Sequence, residues 1–228
     1  MDHLQSDLPA VSHRSELIRL TLGFILLLLI GWGLGELAVS VTQASDLDAV
    51  RDVAAERTAA LTVIAWILTT IGSGYVMFPL TIVVAVVLYA TRRPAAAAVV
   101  VLSMAGAVVI ANVDKRLVGR SRPPVHHLEA VSSASFPSGH TSQATAFFVS
   151  LLVVFLVARR GQRGPAAAAA VAAGLLIVGV AWSRVYLAVH YPSDVAGGFL
   201  LAGAWSLILV TLLLRGRRRA GSRTEVDP

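Results

Sequence analysis

Cysteine is absent from the 228-residue chain, which excludes disulfides, zinc–thiolate centres and cysteine nucleophiles. Charge is scarce as well. Asp, Glu, Lys and Arg make up 14% of the residues, against about 25% in an ordinary soluble domain. Lysine is nearly missing, with Lys115 alone beside 18 arginines. So little charge cannot cover a water-facing surface, which excludes a soluble enzyme, a coiled coil and a disordered protein. Apolar residues take its place, at 56% of the chain and in long blocks, with a mean hydropathy of +0.75. The chain reads as an integral membrane protein, an all-α polytopic bundle. Its net charge of +6 sits mostly beside apolar blocks, a sign of membrane topology rather than of nucleic-acid binding.

A helix needs about 20 apolar residues to cross the hydrocarbon core. The first block runs from Leu20 to Gly35, before Glu36. It is long for a signal-peptide core and no small-x-small site follows closely, so it is expected to stay as a span. A polar stretch follows, Thr42 to Arg57. Thr58 to Thr91 is uncharged but broken by Gly72, Gly74 and Pro79, which predicts a short helix near the interface and then a span ending near Tyr89. Pro94–Val113, Thr141–Ala158, Pro165–Trp182 and Val195–Leu214 complete six spans. The alanine-rich run after Pro165 predicts a helix packed closely on its neighbours through small side chains. No internal repeat is present.

An even number of spans puts both termini on one side. Arg14, Arg19, Arg92, Arg93, Arg159, Arg160, Arg163 and Arg215–Arg219 fall on that side, which the positive-inside rule makes cytoplasmic. The division expected is a cytoplasmic segment 1–16, a membrane domain 17–214 and a disordered basic tail 215–228. Lys115, Arg116, Arg120 and Arg122 break the rule: they lie in the loop between spans three and four, on the outer side. Something other than topology requires them there.

Three stretches hold most of the remaining polar residues, and span alternation puts all three at the outer face. In Phe136–Ser142, FPSGHTS, a helix start with Ser138 and Gly139 presents unpaired backbone N–H groups to an anion, with His140 in the first turn. The plainer account is a cap with an incidental histidine. In Ser183–Asp194, His190 and Asp194 are four apart, so in a helical turn the carboxylate reaches one imidazole nitrogen and leaves the other for a substrate. Pro192 leaves that helical spacing a hypothesis. Arg184 can chelate phosphate oxygens, or alternatively snorkel and pair with Asp194. In Lys115–Pro123, Lys115 and Arg122 are seven apart, about two helical turns, and can point the same way; the alternative is a generic basic loop on anionic headgroups. The set fits phosphoryl transfer without metal, in which fixed cations and backbone donors stabilise charge on the equatorial oxygens. With no cysteine and no carboxylate cluster, no metal or other cofactor is expected.

Lys115, Arg122 and Pro123 as K-x6-R-P, Pro137–His140 as P-S-G-H, and Ser183, Arg184, His190 and Asp194 as S-R-x5-H-x3-D resemble the type 2 phosphatidic acid phosphatase superfamily. The match covers roughly residues 60–214 and fills every motif position. The resemblance implies an all-helical bundle with a six-span core and no metal. It implies His190 as nucleophile oriented by Asp194, His140 as general acid, and Lys115, Arg122, Arg184, Ser138 and the Gly139 backbone holding phosphate. It also implies a lipid phosphate substrate met on the outer face of a bacterial cell membrane. Undecaprenyl diphosphate is the substrate expected by analogy; phosphatidate or phosphatidylglycerol phosphate, a lipid phosphotransferase, and a non-catalytic lipid-binding protein are the alternatives. His126 and His127 match no motif position and read as loop. Glu36 and Glu129 read as solvated interface residues that could line the entrance, and the tryptophans as interface belt or packing.

Overall fold

The computed structural model describes residues 13–158 and 163–223. The described residues form eight helices and no strand. These are α1 (His13–Ser40), α2 (Gln43–Ala55), α3 (Ala59–Gly72), α4 (Gly74–Ala90), α5 (Pro94–Val118), α6 (Gly139–Ala158), α7 (Arg163–Tyr186) and α8 (Pro192–Arg223). α1, α5, α6, α7 and α8 are each long and apolar enough to cross a membrane, and α3 with α4, bent by 45° at their break, passes the same test as a pair and gives a sixth when counted as one broken span. Six spans is the number read from the sequence.

α5, α6 and α8 form the centre of the bundle, where Ala107, Ala146 and Ala202 meet, all buried. Backbones that approach this closely need small side chains. α1 closes one flank: Leu27 joins Ile110, Leu201, Trp205 and Leu209. Trp205 stands edge-on to Phe24, with centroids 5.2 Å apart, and donates from Nε1 to Leu102 O at 2.9 Å. α4 covers the other flank through Met77, packed with Val100, Met104 and Phe147. The outward faces carry Leu22, Leu26, Leu29, Ile82, Val83 and Val178, all exposed, as lipid solvation permits.

Several boundaries differ from the sequence reading. α3 and α4, of 14 and 17 residues, correspond to the short helix and span; the break falls at Ser73, whose extended backbone separates Gly72 from Gly74. α5 runs past Val113 through Lys115 and Arg116 and stops at Gly119, whose φ of 62° supplies the left-handed cap. These two cations therefore sit in its last helical turn and not in a loop, where they also complement the helix dipole. The alanine run of α7 is largely exposed, Ala167, Ala168, Ala170 and Ala172 included, because the contacts of α7 are concentrated in its later half, from Ala173 to Tyr186. Arg215–Arg223 continues α8 as helix where a disordered tail is expected; arginine and alanine propagate a helix that is already nucleated. Arg159, Arg160 and the segments 1–12 and 224–228 lie outside the described residues.

Candidate phosphate-transfer site

At the end of the bundle where α1, α5 and α7 finish and α3, α6 and α8 begin, a cleft of about 200 Å³ is lined by Lys115, Arg122, Gly139, His140, Arg184 and His190, together with Asn112, Ser133, Gln143 and apolar neighbours. Residues 115, 140 and 190 come from three separate stretches, and the fold brings them to one wall.

His190 lies in the short connection between α7 and α8. The backbone N–H groups of Val189 and His190 donate to Arg184 O at 3.2 and 3.3 Å, closing the end of α7. Ala188 takes φ 60° inside this turn, a left-handed conformation that costs a non-glycine residue roughly 1–2 kcal/mol. The packing of Val50, Ala188 and Tyr191, all fully buried, holds it there. His190 and Asp194 are not on one helical turn as expected, because Pro192 starts α8 and leaves His190 outside it. The contact still forms: His190 Nδ1 is 3.3 Å from Asp194 Oδ2, reached from the first turn of α8. Asp194 is fully buried. It accepts from Arg120 Nη1 at 2.7 Å, from Tyr191 N at 2.9 Å and from the Ser135 hydroxyl. With Nδ1 directed at the carboxylate, Nε2 faces the cleft, 3.4 Å from Arg122 Nη1. Burial, with the nearby Lys115 and Arg122 charges, pushes the His190 imidazole down to about 3, more than its bond to Asp194 raises it. Burial thus favours the neutral imidazole, whose Nε2 is turned to the cleft.

The cations are held by the 119–138 connection. Lys115 Nζ donates to Ala134 O at 2.5 Å and Ser135 O at 3.3 Å. Arg122 lies beyond the end of α5, so the two-turn spacing with Lys115 does not operate. They converge because Arg122 Nη2 reaches the same Ala134 carbonyl at 3.5 Å, while its Nε donates to Ser133 O at 2.8 Å and its Nη1 to Val189 O. Burial and the neighbouring Arg184 push the Arg122 guanidinium down to about 10, still cationic at neutral pH. Arg184 is 1% exposed and pairs with Glu129 and the Thr69 hydroxyl; its partner is not Asp194. Gly139 and His140 open α6. Ser138 is buried, and its Oγ accepts from Thr141 N at 3.5 Å and from Thr141 Oγ1 at 3.1 Å. It caps the helix and does not line the cleft, whereas Gly139 does.

Sequence reasoning missed a second layer. Arg120, 3% exposed, bonds Asp46 at 2.8 Å, Gln43 Oε1 at 2.8 and 3.0 Å, and the Ser193 hydroxyl at 2.7 Å, besides Asp194. Its guanidinium carbon stands 4.0 Å from the Tyr191 ring centroid. Asp46 and Gln43 belong to α2, so the polar 42–57 stretch is a helix bound to the rear of the site. Its signal was the misplaced cation, but nothing local named the partners. Glu129 was read as a solvated interface residue, yet it is engaged by Arg184. Glu36 does fit that reading, exposed and accepting from Trp32 Nε1 at 3.2 Å. His127 bonds Pro123 O at 2.7 Å and His126 offers its carbonyl to Arg57, as loop residues.

A buried histidine backed by a carboxylate and facing cations in a helical membrane bundle is chemistry suited to phosphate transfer, and the comparisons with known proteins agree. The chain belongs to the PAP2 superfamily, whose profile matches residues 96–218, more than half its length. It resembles a solved structure, the transmembrane PAP2-type phosphatidylglycerolphosphate phosphatase of Bacillus subtilis, with a TM-score of 0.67 at 25% identity over 92% of this chain and 96% of that one. Among relatives, phosphatidylglycerophosphatase B of Bacillus subtilis strain 168 is 29% identical over 155 residues, 65% of this chain and 71% of the relative. An undecaprenyl-diphosphatase of Sulfolobus acidocaldarius is 31% identical over 144 residues, 60% of this chain and 63% of the relative. The chain is thus a multi-pass membrane phosphatase of the PAP2 type.

Proposed function

We propose that the chain hydrolyses a lipid diphosphate, undecaprenyl diphosphate, to the monophosphate through a phosphohistidine, at a site open to the outer face of a bacterial cell membrane with both termini cytoplasmic. The observation that carries the reading is His190 Nε2, backed at Nδ1 by Asp194 and 3.4 Å from Arg122 in a cleft shared with His140. In the first step Nε2 attacks the terminal phosphorus and the bond to the bridging oxygen breaks. That oxygen leaves with the lipid monophosphate and takes a proton from His140. In the second step His140 accepts a proton from water, the water oxygen attacks phosphorus, the P–N bond breaks and inorganic phosphate departs. Lys115, Arg122, Arg184 and the Gly139 backbone hold the equatorial oxygens. In this reading the protein cations supply the charge stabilisation. The membrane domain is assigned to 17–214, flanked by 1–16 and 215–228.

The undecaprenyl-diphosphatase relative supports the substrate, and recycling of the wall-synthesis carrier is the role that follows. A second reading, phosphatidylglycerol phosphate, is favoured by the longer match to phosphatidylglycerophosphatase B. Phosphate release by purified wild type and His190→Ala in detergent with EDTA tests both, with each lipid offered in parallel. Release expected from the diphosphate vanishes in the variant, persists in EDTA and is inhibited by vanadate. Preference for phosphatidylglycerol phosphate moves the substrate; full activity of His190→Ala removes the nucleophile; strict magnesium dependence removes the mechanism.

A further inference from the structure

The cleft continues beneath the cations. Asn112 and Gln143 line it with Lys115 and His140. Asn112 precedes Lys115 by three residues on α5, and Gln143 follows His140 by three on α6, so each amide shares a helix face with the group above it. Three residues advance about 4.5 Å along a helix. Because α5 ends at the site and α6 begins there, both steps lead the same way, into the bundle. The amides thus form a second polar layer at one depth, beside Val108 and Ala111. Gln143 Oε1 is buried and has no hydrogen-bond partner. Asn112 is exposed at the side of the cleft, its Nδ2 donating to Val108 O of its own helix at 2.8 Å. Leaving the buried Gln143 oxygen unsatisfied costs about 1–3 kcal/mol, and neither amide is needed to hold the phosphoryl group above.

We propose that Asn112 and Gln143 form a leaving-group subsite that binds the second phosphate of a lipid diphosphate. The inference rests on the hydrolysis reading above. There the phosphoryl group sits between His190 Nε2 and the cations, and the departing oxygen lies beside His140. Whatever is bonded to that oxygen hangs one step deeper, level with Gln143 and Asn112. In a prenyl monophosphate that group is a methylene, which has no use for an amide. In a diphosphate it is a second phosphate, whose non-bridging oxygens need donors. A side-chain amide supplies two N–H donors without adding charge, and either end of it can turn to the ligand.

The test compares farnesyl diphosphate with farnesyl monophosphate, which share one tail, in detergent with EDTA. Gln143→Met and Asn112→Leu remove the donors. Each is expected to lower kcat/KM on the diphosphate by roughly 10-fold, the worth of a hydrogen bond to a charged group, and to change it less than threefold on the monophosphate. Equal losses on both substrates, or none on either, overturn the subsite. Gln143→Glu is the second variant, whose like charge must penalise the diphosphate selectively, should the apolar replacements not fold. A wild type inert to both lipids overturns the hydrolysis reading instead. Thermal stabilisation by pyrophosphate against orthophosphate then decides the subsite without turnover: Gln143→Met must lose the pyrophosphate effect alone, and an unchanged or equal response sinks the idea.

Discussion

Asp194 shares its charge between Arg120 Nη1 at 2.7 Å and the His190 imidazole at 3.3 Å. A guanidinium is permanently charged, so it compensates the buried carboxylate and spares the imidazole from taking a proton to do so. Arg120→Gln removes that compensation. The expected result is that His190 binds a proton more readily, and the acid limb of the kcat/KM profile moves up by about one pH unit or more. A uniform loss of rate with an unmoved limb would reduce Arg120 to scaffolding. In the wild type, the His190 imidazole lies near 3 in the folded protein against about 6.5 when unfolded. The folded state therefore binds fewer protons between those values. This contribution to stability is complete above about pH 6.5 and is lost as pH falls towards 3. Lowering the pH from 6.5 to 5 is expected to cost up to about 2 kcal/mol from this group, a slope that His190→Asn lacks when unfolding is followed in detergent. The histidine and its carboxylate were legible as a spaced pair. Arg120 was not, because Asp46 and Asp194 lie 74 positions away on either side and no local spacing rule reaches that far.

The helices hold these residues in register through close approaches that the sequence pattern marks only weakly. A Cβ at Gly198 of α8 would fall 2.7 Å from Ser138 O, which is backbone and cannot rotate aside. Gly198→Ala is thus expected to push the start of α6 from α8, separating His140 from His190, and to lower kcat well beyond any change in unfolding temperature. A larger effect on stability than on kcat would argue against this coupling. On the other flank, a Cβ at Gly31 of α1 would come within 2.0 Å of Asp114 Oδ2. Asp114 is fully buried and neither carboxylate oxygen has a partner. Gly31→Ala is expected to destabilise by about 1–3 kcal/mol, and Asp114→Ala in the same chain to restore most of it; additive losses would mean the two do not meet. Span count and the motif-bearing helix ends were readable, since apolar length and polar residues are local properties. Which face of α7 packs was not, because alanine suits a close contact and a lipid-facing surface equally well.

Across the whole molecule, arginine distribution and site construction answer the same question. Four cations sit at the end of the bundle where the positive-inside rule expects few. The structure accounts for three: Lys115 and Arg122 line the cleft, and Arg120 is buried behind Asp194. Of the four only Arg116 points outward, exposed on the last turn of α5. Cations tied up in a site are weak evidence about topology, so the remaining arginines keep their meaning, and the proposed orientation puts Arg92 and Arg93, at the opposite end, on the cytoplasmic side. The orientation can be measured directly because the chain has no cysteine and introduced thiols label without background. Asp48→Cys stands on α2, where the native side chain is 69% exposed, and Thr91→Cys lies at the exposed turn between α4 and α5. A membrane-impermeant maleimide is expected to label Asp48→Cys in intact cells and Thr91→Cys only after permeabilisation. The reverse pattern would face the cleft to the cytoplasm. It would remove the outer-leaflet carrier as substrate while leaving the histidine chemistry intact, since the dyad and its cations depend on the bundle and not on which side of the membrane it opens.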